Sequence, residues 1–221
     1  KDYKPNTIGR HIKHLKSIIR YTHEVKKWHN NDAYRKFEIY KTDVKNVVLT
    51  IEELDKIYFL DLSDNPHYEV ARDIFLIGCY TAQRFSDYTR ISNDHIKTNK
   101  GQKVIDIITQ KTKEQVIIPL HPIVEEILIK YNGYLPKVYE QKVNKYIKEV
   151  CKIAEINEPI EVEEIRGGTP FRLNRSKYLL VKTHTARRTG ATIMYSEFEI
   201  PTIKLMKITG HKTESNLLKY I

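Results

Sequence analysis

Residues 183–221 read THTARRTGATIMYSEFEIPTIKLMKITGHKTESNLLKYI and gather His184-Thr185-Ala186-Arg187, Gly210-His211 and Tyr220 in one C-terminal segment. Two histidines, an arginine and a phenol stand there without a carboxylate cluster beside them. A phenol is a nucleophile and the rest are phosphate binders. Any single residue at a fixed offset is met by chance roughly one time in twenty at average usage, so the weight lies on the set. Thr183 is placed to cap a helix on which His184 and Arg187, three apart, share a face. Gly210 reads as the end of another helix, and Ser215 to Ile221 as the last one.

Upstream, a helix over residues 51 to 60 opens on the capping box Thr50-Ile51-Glu52-Glu53. A more apolar helix over 67 to 81 runs into Gln83-Arg84-Phe85-Ser86-Asp87. The period then changes from helical to alternating. Lys103 to Ile108 and Gln115 to Leu120 read as strands of a small β-hairpin, joined by Gln110-Lys111-Thr112-Lys113-Glu114 with lysines at its tip. Helices follow over 122 to 131 and 138 to 155. Residues 160 to 182, with Gly167-Gly168 and Pro170, read as irregular strand or loop. The fold class is therefore mixed α/β, mainly α-helical, with a small antiparallel β-hairpin or sheet.

In front of this lies a different segment. Residues 1 to 45 hold 12 Lys/Arg against 5 Asp/Glu, so +7 of the net +10 sits in the first fifth of the 221-residue chain. Ile8, Ile12, Leu15, Ile18, Ile19, Thr22 and Val25 recur at helical spacing as a core face, while Arg10, Lys13, Lys16, Arg20 and Lys27 form a basic stripe. Charge this concentrated points to a polyanion, with nucleic acid first. Residues 41 to 49 read as an extended linker, which places a domain boundary between 46 and 47. Cys79 and Cys151 have no neighbouring Cys or His at metal-ligand spacing and read as reduced, buried thiols of a cytosolic protein. The longest apolar run, Ile74 to Tyr80, is too short to span a bilayer. The chain opens at Lys1 rather than Met, which suggests a piece of something longer.

Covalent cleavage of a phosphodiester needs an in-line nucleophile, positive donors on the non-bridging oxygens, and an acid for the departing alkoxide. Tyr220 supplies the oxygen nucleophile. Arg84 and Arg187 supply planar forks suited to phosphate, and His211 another donor. Lys111 is placed to protonate the leaving 5′ oxygen, and His184 to take the phenolic proton or orient the phosphate. Lys113 shares the hairpin tip and competes with Lys111 for the acid's role. Glu161, Glu163 and Glu164 suggest a metal nuclease instead, but no other acidic cluster has the spacing to complete such a site.

These residues resemble the tyrosine recombinases, also called the phage integrase family, over roughly residues 45 to 221. Ala82-Gln83-Arg84-Phe85-Ser86-Asp87 is similar to the family's first arginine box, with Asp87 as the acidic companion of Arg84 or His184. Lys111, eight residues before Pro119, stands where the family has its hairpin lysine, and Tyr220 lies nine residues after His211, where the nucleophile belongs. The resemblance implies residues 1–46 as the end of a helical core-binding domain and 47–221 as the catalytic domain. It implies a 3′-phosphotyrosyl intermediate, religation through a Holliday junction, and no metal or nucleotide cofactor. The implied partners are double-stranded DNA, three further copies of the chain in a tetramer, and accessory DNA-bending proteins. Arg10, Lys13, Lys16, Arg20, Lys27, Lys113 and Arg188 would contact the DNA. A prokaryotic, nucleoid-associated protein of the cytoplasm fits this picture, and no membrane does. Two departures stand out: Ala82 where the family has Gly, and an end at Ile221 where the family continues into a segment that docks on a neighbouring protomer. The rivals are a type IB topoisomerase-like relaxing enzyme and a DNA-binding regulator that has lost catalysis.

Overall fold

The computed structural model describes residues 3–41, 46–166 and 169–221, with the side chains of Arg166, Thr169 and Pro170 left aside. Gly167-Gly168 and positions 42–45 of the expected linker lie outside the described residues. The chain divides into two compact units, Lys1–Lys45 with Ile160–Arg175, and Asn46–Pro159 with Ser176–Ile221.

In the first unit, α1 (Pro5–Arg20) starts on a proline, whose missing N–H costs nothing in the first turn. It continues as one π-turn over Tyr21–Val25, where the Lys26 amide donates to Tyr21 O at 3.0 Å. The apolar stripe expected to be a core face is mostly not one. Ile8, Leu15, Ile18 and Val25 are exposed, and Gly9 is the buried residue of α1. Among the described residues the segment follows α1 with a short 3₁₀ turn, Ala33–Lys36, and with no second helix for the stripe to bury against. Within the basic stripe, the Lys16 ammonium donates to Arg35 O at 3.1 Å and Phe37 O at 2.7 Å. Lys16 thus tethers the chain that returns across α1. Arg10, Lys13, Arg20 and Lys27 are exposed. Also placed with this unit, for most of its length, is a hairpin of β4 (Pro159–Arg166) and β5 (Thr169–Ser176), regular strands where an irregular segment was expected.

The second unit is organised around α3 (Pro66–Thr81), whose residues 71–79 are all buried. α2 (Ile51–Tyr58), capped by Thr50 and Glu53 as expected, packs on it. So do α5 (Pro122–Lys130), α6 (Glu140–Ile153) and α7 (Thr183–Ser196). A helix covered on several sides reads as one apolar run, which is why its sequence lacks a clean stripe. The contact with α7 is set by a glycine. A methyl group added at Gly190 would stand 2.1 Å from the carbonyl oxygen of Cys79, so only glycine lets α7 lie this near α3.

Beside the helices, β1 (Ile96–Asn99), β2 (Gln102–Ile108) and β3 (Gln115–Pro119) form an antiparallel sheet in that order. Ile105 pairs with Ile118 and Ile107 with Val116, and all four are buried, while Ile108 and Ile117 face solvent. The alternation fixes the register, since a slip of one residue would expose the buried set. β1 is the strand that the sequence did not announce, being four residues long and polar after its isoleucine. α4 (Phe85–Tyr88), α8 (Thr202–Thr209) and α9 (Glu214–Leu218) complete the described α-helices. None of the described helices is long and apolar enough to cross a membrane.

Replacing Gly190 with Ala should destabilise the chain by about 1–3 kcal/mol through overpacking of α3 on α7, read as a lower melting temperature. An unchanged melting temperature would mean that the two helices are free to separate.

Candidate active site

α3 ends on Ala82, a residue in the left-handed conformation at φ 53°. An L side chain is uncomfortable there, yet the turn points the Ala82 carbonyl at Arg187, whose Nη1 donates to it at 3.0 Å. Arg187 is fully buried. Its Nη2 donates to Thr209 O at 2.9 Å and to His211 Nε2 at 3.1 Å. One guanidinium therefore ties together the C-terminal ends of α3 and α8, the ends at which carbonyls lack helical partners. Desolvation first, then the charge of Arg84, lowers the Arg187 pKa, and Tyr220 and Asp87 oppose the shift.

The start of α7 sets the height of Arg187. The expectation that Thr183 caps this helix is corrected. Its amide donates to Asn144 Oδ1 at 2.8 Å and its hydroxyl to Glu140 at 2.7 Å, which pins α7 to α6. The capping contact is the Thr185 hydroxyl, 3.1 Å from the Lys182 amide. At the other wall α8 stops at Gly210, φ 68°, and the backbone turns back so that His211 N donates to Met206 O at 3.1 Å.

The hydrogen bonds around His211 assign its tautomer. Arginine can only donate, so Nε2 accepts and the proton sits on Nδ1, which donates to Thr209 Oγ1 at 2.7 Å. That hydroxyl in turn donates to Leu205 O at 2.7 Å. Burial, followed by Arg187, Arg84 and His184, lowers the His211 pKa from the usual 6.5 to about 4, so the ring is neutral near pH 7. The His184 pKa is lowered too, by desolvation first and then by Arg188, Arg187 and Arg84. His184 keeps an exposed edge, but protein atoms and three cations crowd its ring.

Tyr220 lies against this wall. Leu217, buried on α9, anchors the segment, and Thr192 on α7 donates to Tyr220 O at 3.3 Å. The phenol ring centroid is 4.8 Å from that of His211 and 5.2 Å from that of His184. The guanidinium carbons of Arg188 and Arg187 are 4.9 Å and 5.4 Å from it. A cleft of about 320 Å³ opens beside the ring, lined by Arg84, His211, Lys212 and Tyr220 among others. Three guanidinium nitrogens, Arg84 Nη1, Arg187 Nε and Arg188 Nε, are buried without a hydrogen-bond acceptor. Buried donors in native proteins nearly all find acceptors, so three orphans in one place ask for an anion.

Asp87 and Lys111 are placed differently from the expectation. Asp87 is buried, and its Oδ1 meets neither Arg84 nor His184. It accepts the Gln110 amide at 2.7 Å and, more loosely, Arg90 Nη2 at 3.5 Å. Arg90 also donates to Ile108 O and Ser86 O, both at 3.0 Å. Asp87 and Arg90 thus clamp the β2–β3 turn to α4. Lys111 is exposed on that turn. Its neighbour Thr112 reaches the cleft, but Lys111 does not line it. Lys113 is exposed at φ 57°, and its amide donates to Thr109 O. Arg90, Thr209 and Lys212 escaped the sequence reading. Only Arg90, three residues after Asp87 on a helical face, carried a signal, that of an i,i+3 ion pair.

The model of the Phage integrase family matches residues 47–221. The chain belongs to the phage integrase family. No individual curated protein matches it in sequence. Among solved structures, this integrase-family chain is similar to a lambda integrase dimer bound to a COC′ core site, with a TM-score of 0.66 and 17% identity over 95% of this chain and 57% of that one. It is also similar to XerH recombinase in a pre-cleavage complex with difH, with a TM-score of 0.59 and 15% identity over 92% and 59% of the two chains. The Tn1549 transposon integrase in complex with circular intermediate DNA gives 0.63 and 16% over 98% and 75%. The chain thus spans under two thirds of the lambda integrase and XerH chains that it matches.

For this integrase-family site the titration of His211 has a definite sign. Its folded pKa is depressed, so the stability tied to the neutral ring is present above the usual pKa of 6.5 and is lost as the pH falls towards about 4. Side-chain ¹⁵N NMR should find a neutral ring with the proton on Nδ1 down to pH about 5. Titration near 6.5, or a proton on Nε2, would contradict the assigned hydrogen bonds.

Proposed function

We propose that the chain is the catalytic part of a site-specific DNA recombinase that cleaves and rejoins strands through a 3′-phosphotyrosyl bond at Tyr220. The observation that carries this reading is the group of three acceptor-less guanidinium nitrogens, Arg187 Nε and Arg188 Nε on side chains that lie against one phenol ring, and Arg84 Nη1 on a side chain that lines the cleft beside it. A scissile phosphate has the charge and oxygens to satisfy such donors. In the forward step the Tyr220 oxygen bonds to phosphorus, its proton passes to His184, and the bond from phosphorus to the 5′ oxygen breaks as that oxygen takes a proton from Lys111. Lowering of the His184 pKa favours the neutral ring that can accept. Arg84 and Arg187 bind the non-bridging oxygens. His211, with Nε2 accepting from Arg187, first acts to hold that arginine, and donates to phosphate only once Nε2 carries a proton.

The exposed Lys111 fits the acid role if the β2–β3 turn closes over bound DNA, with Asp87 and Arg90 as the fixed end of the turn. The exposed cations Arg10, Lys13, Arg20, Lys27 and Lys113 suit a DNA backbone, and Lys16 suits it less because it is engaged within its own unit. Another similar structure is a lambda integrase tetramer bound to a Holliday junction. A tetramer of this chain on two duplexes, in a prokaryotic cytoplasm, belongs to the same proposal.

Random-sequence duplexes carrying a nick that traps the cleaved end should yield a covalent protein–DNA band, and Tyr220→Phe should bind the captured duplex and give none. Undiminished adduct from Tyr220→Phe would sink the assignment. Arg84→Lys should cut the cleavage rate on the order of 10² to 10³, since one ammonium cannot reproduce a planar fork. Lys111→Ala should be rescued by a sulfur-bridged substrate, whose thiolate leaves without a proton. Equal defects on both substrates would refute its acid role, and rescue confined to Lys113→Ala would move that role.

A further inference from the structure

Arg188 stood in the sequence as one more DNA contact, yet its surroundings are unlike those of a surface arginine. Consecutive helix residues diverge by about 100°, so while Arg187 runs inward to carbonyls, Arg188 emerges at the edge of α7 and lays its guanidinium 4.9 Å from the centre of the Tyr220 ring. That is nearer than Arg187, at 5.4 Å. The Arg188 Nε is buried with no acceptor, and no hydrogen bond or ion pair to a described residue accompanies the ring contact. A half-buried arginine usually has a carboxylate or carbonyl partner. Here the partner is the π-face of the residue that would become an anion.

We infer that Arg188 is a further residue of the strand-transfer reaction, holding the Tyr220 ring and stabilising its phenolate. The inference rests on Tyr220 as nucleophile. A cation over the ring attracts the neutral phenol through its quadrupole and the phenolate through its full charge as well, so the ionised form gains more. On cleavage the phenolic proton passes to His184, the bond from the Tyr220 oxygen to phosphorus forms, and the bond to the 5′ oxygen breaks as that oxygen takes a proton from Lys111. On rejoining, the 5′ hydroxyl gives its proton to Lys111 as it attacks phosphorus, and the Tyr220 oxygen departs as the phenolate, which regains its proton from His184. Arg188 exchanges no proton or bond in either direction. The other ionisable groups facing Tyr220 or lining the cleft beside it are His184 and Arg187 from α7, His211 and Lys212 after α8, Lys219 after α9 and Arg84 before α4, with Glu140 acting on His184 from α6.

The test is single-turnover covalent cleavage of the captured duplex at saturating protein, followed from pH about 6 to 10, for the unmodified chain, Arg188→Met, Arg188→Gln and Arg188→Lys. Met keeps the packing, Gln keeps polarity, and Lys keeps the charge. Met and Gln should each be about tenfold slower near neutral pH, with the alkaline limb moved up by about one unit and the rates converging at high pH. Lys should fall between them and the unmodified chain. Loss by one constant factor at every pH would reduce Arg188 to a packing residue and overturn the inference. So would an unmoved pH profile together with a salt dependence of DNA affinity lowered by about one phosphate contact. Either variant suffices if the other fails to fold. Absence of any adduct from the unmodified chain would instead strike the nucleophile assignment itself.

Discussion

A guanidinium with no exposed surface, that of Arg187, sets the terms for the rest of the molecule. Removing such a cation from water costs several kcal/mol unless hydrogen bonds replace the lost hydration. The acceptors supplied are the carbonyls of Ala82 and Thr209 and the Nε2 of His211. Both carbonyls lie at helix ends, where oxygens are free and the helix dipole is negative. The left-handed turn at Ala82, the stop at Gly210 and the near contact of Gly190 with α3 all serve to bring these acceptors to one point. A chain lacking any of them would have to bury Arg187 unpaired or expel it.

The same cation governs the chemistry around it. Burial first, and then the charges of Arg187 and Arg84, with Arg188 acting on His184, lower the pKa of both His184 and His211, that of His211 to about 4, and the three arginines form a positive wall. Neutral imidazoles can accept protons, and a positive wall left without acceptors can receive an anion. Three of the buried side-chain atoms without partners, Arg84 Nη1, Arg187 Nε and Arg188 Nε, belong to this wall. Unsatisfied donors of one charge concentrated at one place mark where stability is given up for function.

Much of this was legible because the site uses residue types that are rare in combination. The order His184, Arg187, His211 and Tyr220 is readable without coordinates, as are the Thr50 capping box, α3 and the β2–β3 hairpin. What escaped depends on tertiary context. The stripe on α1 looked like a core face because periodicity reports amphipathicity and not the presence of a second layer. β1 is short and polar, and its strand character comes from pairing with β2. Asp87 looked like a partner for a catalytic cation. Its bond to the Gln110 amide could not be read, because backbone donors leave no mark in a sequence. Arg188 was read by its charge alone, and only its place over the phenol sets it apart from Arg10 or Lys13.

Arg187 is proposed to commit its two terminal nitrogens to the fold and to keep its Nε, which has no protein acceptor, for phosphate. Arginine ¹⁵N–¹H NMR on the Tyr220→Phe protein, titrated with the captured duplex, tests it directly. The Arg187 Nε–H signal should move strongly on binding and remain unmoved when a neutral methylphosphonate replaces the scissile phosphate. Equal shifts with both duplexes, or none with either while Arg10 and Arg20 respond, would contradict it.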